Sequence, residues 1–164
     1  MSISLKLSWA TQNIVQKAIN ELVNEGKITQ NGGIYTKFGV NFDDLRVKIE
    51  DKIYDILEKA GLTPDAPYNI YESLEIDRLT GDNVLKKLTN QNRVIRLEHN
   101  LFVTKNNLEN AVTKLKDIIK KEGLVNVTTA KDRLGLSRKY AIAYLEYLDK
   151  SPDIAKNGQN RVLK

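Results

Sequence analysis

Six cations in the last third of the chain are the residues best equipped for chemistry: Lys131, Arg133, Arg138, Lys139, Lys156 and Arg161. They bracket the turn Gly135-Leu136-Ser137 and the small polar run Asn157-Gly158-Gln159-Asn160. Ammonium and guanidinium groups beside exposed backbone N–H groups bind anions, phosphate above all. Ser137 precedes an amphipathic run and so caps a helix whose first residues are Arg138 and Lys139. Cations there oppose the helix dipole, which favours anions at that end, so their presence points to use rather than to stability. The candidate anion-binding set is therefore Lys131, Arg133, Ser137, Arg138, Lys139, Lys156, Asn157, Gly158 and Arg161.

Other chemistry is thinly supplied. The chain of 164 residues has no Cys and one His, which removes disulfides, thiolate metal sites, Cys nucleophiles and paired-His metal sites. His99 reads as a turn residue, and Asp43-Asp44 as helix capping rather than a carboxylate pair. Neither GxxxxGK[ST] nor GxGxxG occurs, so no nucleotide fold is expected in the chain. Its 41% hydrophobic content is that of a globular protein, with no apolar run near the roughly 20 residues of a membrane span. With no signal peptide visible, the expected setting is cytoplasmic, without membrane contact, and the expected state a monomer. No enzyme activity, metal or cofactor is expected of the chain itself.

The formal charge of +5 is not spread evenly. Residues 1–44 hold four Lys against four acids, and residues 45–108 hold ten bases against ten acids. Residues 109–164 hold nine Lys and three Arg against seven acids, 12 − 7 = +5, so the whole excess lies at one end. Lys114, Lys116, Lys120 and Lys121 suit a solvated helix face equally well, which leaves the residues after 124 as the informative ones.

The elements that must position those cations come in three copies of one unit: short helix, longer helix, then a hairpin. In the last copy Val127–Leu134 is the short helix, capped by Thr128 or Thr129, and Gly135 makes the turn. Ser137 caps Arg138–Asp149, whose Ala141, Tyr144, Leu145 and Leu148 form an inward stripe. Ile154–Lys156 and Arg161–Leu163 then flank a turn at Asn157-Gly158. The middle copy repeats the order with Tyr68–Ile76, Asp82–Asn90 (Val84, Leu85 and Leu88 inward), and strands Arg93–Leu97 and Leu101–Thr104 turning at His99-Asn100.

Each of these two copies follows a longer helix, Phe42–Ala60 or Asn107–Glu122. The first copy shows only the longer helix, Trp9–Asn24 (Ile14, Val15, Ala18 and Leu22 inward), and a hairpin over Lys27–Thr36 turning at Asn31-Gly32-Gly33. Trp9 is expected to pack against the absent part, so the chain is expected to begin inside a domain. Three helices and a two-stranded wing make a winged helix, a helix-turn-helix variant. The expected fold is mainly α with small β-hairpin wings (α+β), in tandem winged helices arranged as a rod. The domains are an incomplete one over 1–40, a second over 41–104 and a third over 105–164.

Only the third copy has the charge of an anion binder. The middle one offers Asp77, Arg78 and Asp82 ahead of its helix and Arg96, Glu98 and His99 in its wing, and the first offers Thr11, Gln12, Asn13, Gln30 and Asn31. The third carries the run Lys131-Asp132-Arg133-Leu134-Gly135-Leu136-Ser137-Arg138-Lys139-Tyr140-Ala141, then Leu145-Glu146-Tyr147-Leu148-Asp149 and Arg161-Val162-Leu163. This run resembles the C-terminal module of bacterial selenocysteine-specific elongation factors (SelB), whose C-terminal region is four tandem winged helices.

The chain is similar to half of the second and all of the third and fourth. The resemblance implies that the last module grips an mRNA (SECIS) hairpin beside a UGA codon. The family's N-terminal part holds GTP and Mg and carries selenocysteyl-tRNA to the ribosome. On that likeness Arg138 and Lys139 match the family's Arg-Lys at the recognition helix, Arg161 matches the wing Arg, and Lys131 stands where Arg is usual. Two departures are Ala143, where Pro is usual, and Ala155-Lys156, where an Arg pair is usual.

RNA also suits these residues on physical grounds. A-form helices hide base edges, so a reader relies on phosphates, riboses and a splayed base. Arg138, Lys139 and Arg161 would hold phosphate, with amides near Gly158 meeting an extruded base. Tyr144 belongs to the core stripe, while Tyr140 and Tyr147 suit packing and base stacking equally. Two other readings fit the same fold: a DNA-binding regulator working as a dimer, and a tandem winged-helix scaffold for protein interaction.

Overall fold

The computed structural model describes residues 11–31, 34–39 and 42–164. Trp9, the Gly32-Gly33 turn and the side chains of Asp43 and Asp44 lie outside the described residues. In chain order the elements are α1 (Gln12–Asn24), β1 (Ile28–Asn31), β2 (Ile34–Lys37), α2 (Phe42–Lys59), α3 (Pro67–Ser73), α4 (Arg78–Asn90), β3 (Val94–Glu98), β4 (Leu101–Thr104), α5 (Lys105–Glu122), α6 (Val127–Leu134), α7 (Arg138–Leu148), β5 (Ile154–Asn157) and β6 (Asn160–Leu163). Each hairpin is a separate two-stranded antiparallel sheet. This is the α+β winged-helix plan that the repeats predict. Among the described residues no helix is long and apolar enough to cross a membrane.

The chain divides into two compact units, 1–53 with 67–88, and 54–66 with 89–164. In the first unit, α1 buries Val15 and Ile19 and leaves Ile14 57% exposed, with Ala18 and Leu22 also outward. The inward face is thus one residue round from the expected stripe. Both sets keep four-residue spacing, and periodicity alone cannot choose between adjacent apolar faces. The helix-turn-helix of α3 and α4 is closed by a left-handed Glu75 (φ 53). Ile76 N–H donates to Tyr71 O and Glu75 N–H to Glu72 O, a Schellman end that stops α3 three residues before Ile76. Asp77 then caps α4: its carboxylate accepts from Thr80 N–H (3.0 Å) and from the Thr80 hydroxyl (2.7 Å), so the helix starts four residues ahead of the expected Asp82. Gly81 lies directly under the ring of Tyr71, whose hydroxyl donates to Asp82 at 3.1 Å.

In the second unit, Thr104 ends β4 and caps α5, accepting from Asn107 N–H. Asn107 itself donates to the carbonyls of Leu57 and Glu58, at 3.2 and 2.9 Å, and so satisfies the open end of α2. Gly123 (φ 81) stops α5. One apolar core runs through the unit, with Leu101 and Val103 of β4 joined to Leu108 and Leu115 of α5 and to Tyr144, Leu145 and Leu148 of α7.

Candidate nucleic-acid interface

The helix-turn-helix of α6 and α7 is built by local signals, though not all of those expected. Asn126, rather than Thr128 or Thr129, caps α6, because the helix begins at Val127. Its side-chain oxygen accepts from Thr129 N–H (3.0 Å), and the Thr129 hydroxyl joins the same oxygen (3.2 Å). Gly135 takes the left-handed turn (φ 65), and Leu136 plugs the core at 5% exposure. Ser137 is the extended residue before α7, but its hydroxyl makes no capping bond. The first intrahelical bond of α7 runs from Ala141 N–H to Ser137 O. The N–H groups of Arg138, Lys139 and Tyr140 therefore point out of an uncapped helix end, where the dipole is positive.

Arg138, Lys139 and Lys131 are exposed and have no ion-pair partner among the described residues. Lys139 holds its ammonium 5.9 Å from the Tyr140 ring centre. Arg133 is also exposed but pairs with Glu122 at 2.8 Å, which ties the end of α6 to the end of α5. Tyr140 and Tyr144 turn away from solvent. Their hydroxyls donate to Pro64 O (2.8 Å) and Leu62 O (3.0 Å), and burial raises the pKa of each phenol. Tyr140 is thus a packing residue, while Tyr147 is half-buried against the core with Lys150 near its ring.

The wing differs from expectation in two ways. Asn157 pairs with Asn160, so the two-residue turn is Gly158-Gln159, one step later than Asn157-Gly158. Gly158 has φ 61, the conformation a first turn position needs and Gly supplies freely. Lys156, Asn157 and Gly158 are exposed.

The second difference is Arg161, expected as a surface cation and found only 6% exposed. Its Nε and one terminal nitrogen donate to the two carboxylate oxygens of Asp149 at 2.8 and 2.9 Å, and the other terminal nitrogen donates to Gln159 O at 3.1 Å. Its backbone exchanges two bonds with Val125, so β6 is stitched to the chain entering α6. Position in sequence could not show this: strand alternation puts Arg161 on the inner face only once the register is fixed. Asp149 is the residue that sequence reasoning missed. Its only signal was an acid at the end of α7 ahead of a strand Arg.

In the middle copy the corresponding cations are engaged. Arg96 folds onto its own turn, bonding His99 and the Glu98 carbonyl, and Arg78 pairs with Asp82. Among the described residues no cluster could hold a metal ion.

Residues 117–163 match the family described as elongation factor SelB, winged helix. The last module is therefore similar to a SelB winged helix. It matches a winged-helix module rather than a catalytic domain. The SelB likeness extends to solved structures. The mRNA-binding domain of elongation factor SelB from E. coli, solved in complex with SECIS RNA, has a TM-score of 0.64 and 20% identity, over 75% of this chain and 99% of that one. A bacterial selenocysteine-specific elongation factor, EF-Sec, has a TM-score of 0.57 and 24% identity over 98% of this chain. This chain spans 25% of that protein's length. At these identities the two structures establish the fold. No curated protein sequence matches the chain.

Proposed function

We propose that the chain is an RNA-binding C-terminal arm of a selenocysteine-specific elongation factor, three modules over 1–40, 41–104 and 105–164, whose last module grips an mRNA hairpin beside a UGA codon. The observation that carries this is the uncapped N-terminus of α7, with Arg138 and Lys139 exposed and unpaired among the described residues, inside the segment that matches SelB. Phosphate is the ligand that three free N–H groups, a helix dipole and two cations share. Lys131 and Lys156 are further exposed cations of the same module, and the exposed Asn157-Gly158 segment would meet a base or ribose. GTP, Mg, selenocysteyl-tRNA and the ribosome would be engaged by other parts of such a factor.

Fluorescence anisotropy with a labelled RNA hairpin, competed by duplex DNA and repeated across salt concentrations, tests this reading. The expected result is preference for the hairpin and an affinity that falls linearly with log salt. Preference for duplex DNA, or no binding at low salt, overturns it.

A further inference from the structure

The wing cation that sequence places at the surface is tied by three side-chain hydrogen bonds. Both carboxylate oxygens of Asp149 engage Arg161, with Lys156 Nζ 4.0 Å from one of them. Asp149 caps the end of α7. Arg161 also holds the carbonyl of Gln159, the second residue of the wing turn. One step away, Asn126 caps α6 and donates to the Asn160 side chain at 3.2 Å. The tip of the wing is therefore fixed from three directions: the C-terminal end of α7, the start of α6 and the Val125 backbone.

We propose that Asp149 and Arg161 are positioning residues that set the aim of the wing, so that the wing's phosphate contact falls to Lys156 and the exposed turn instead of Arg161. This rests on the RNA-binding reading above. A bidentate pair has the geometry for it, since two parallel bonds fix orientation as well as distance. An Arg buried to this degree has its fork turned inward, away from a phosphate outside. Asp149 would repel RNA if it were free, and pairing with Arg161 and proximity to Lys156 cancel its charge.

The two roles for Arg161 predict opposite results for Asp149→Asn. If Arg161 held phosphate, removing the acid would free the guanidinium and delete a negative charge, and hairpin affinity would hold or rise. If the pair aims the wing, Asp149→Asn weakens hairpin binding by about tenfold and leaves the salt slope at its wild-type value. Arg161→Lys, which keeps the charge and loses the fork, then weakens binding in the same way. Lys156→Ala, in contrast, lowers the salt slope by roughly 0.7–0.9.

Amide hydrogen exchange gives a readout that needs no RNA. Asp149→Asn is expected to speed exchange at Val125 and Arg161, whose N–H groups bond each other's carbonyls, while Leu115 and Ile119 in α5 keep their protection. Hairpin binding by Asp149→Asn as tight as wild type, or unchanged exchange in the wing, overturns the proposal. A wild-type protein that binds no hairpin sinks the RNA reading instead, and the exchange result still reports on the pair.

Discussion

Replacing Arg138 and Lys139 together with Ala should move stability and binding in opposite directions. Both side chains are exposed, lack ion pairs among the described residues, and stand in the first turn of α7, where the dipole repels cations. Removing each relieves about 0.3–1 kcal/mol. Against that, the Lys139–Tyr140 contact at 5.9 Å contributes about 0.5 kcal/mol at an exposed site. The net is a gain of up to about 1.5 kcal/mol, and a chain of this size gains roughly 2–4 °C in Tm per kcal/mol.

Binding goes the other way. A phosphate contact contributes a slope of about 0.7–0.9 in log K against log salt. Taking the electrostatic contribution as nil at 1 M, each contact is worth about 5- to 8-fold at 0.1 M, so two are worth about 25- to 60-fold. Calorimetric melting and anisotropy on one preparation, at four salt concentrations, give both numbers. An unchanged salt slope, or a fall in Tm that tracks the loss of affinity, would refute the reasoning, because the cations would then serve the fold.

Two further outcomes follow from the packing. Gly81→Ala should destabilise the protein although Ala is the better helix former: an ideal Cβ there lies 2.4 Å from the buried Tyr71 ring. Overpacking costs about 1–3 kcal/mol against a propensity gain of about 1, so a lower urea midpoint is expected, with relief in a Tyr71→Ala background. The pKa values of Tyr71, Tyr140 and Tyr144 are all raised, first by burial. The folded state therefore holds its phenolic protons longer than the unfolded one, so this stability is complete below about pH 10, the unfolded value, and is lost as pH rises beyond it. Urea melts from pH 8 to 11 check this, and Tyr144→Phe should flatten the alkaline loss.

Much of the fold could be read from sequence because its signals are local. Val127–Leu134, Gly135 and the stripe Ala141, Tyr144, Leu145 and Leu148 appear where spacing and turn chemistry place them. So does the His99-Asn100 turn. The misses are of another kind. The cap of α6 moved to Asn126 because Asn, Thr and Thr compete within three residues, and only the chain's entry angle decides among them. The inward face of α1 turned by one residue because a surface in the rest of its unit selects it.

At the site, exposure of Arg138, Lys139, Lys131 and Lys156 follows from the helix and strand periods. The inward turn of Arg161 does not, since it depends on β5–β6 register and on an acid twelve residues away. Tyr140 likewise gave no sign of its partner, a carbonyl 76 residues back.

The same separations set a clock. Tyr144 and Leu62 are 82 residues apart, whereas Asp149 and Arg161 are 12 apart. Closing the longer loop costs about 1.7 kcal/mol more chain entropy, (3/2)RT ln(82/12), so the wing assembles from its neighbours before the tyrosines find their acceptors. On a ribosome making about 5–20 residues per second, residue 62 emerges roughly 4–16 s before residue 144. Leu101 precedes Tyr144 by 43 residues, so for roughly 2–9 s of that time the apolar side of β4, Leu101 and Val103, has no α7 to cover it. That interval is when the nascent chain is most exposed to wrong partners, and substitutions in the 60–66 stretch should show their effect as yield before they show it as melting temperature.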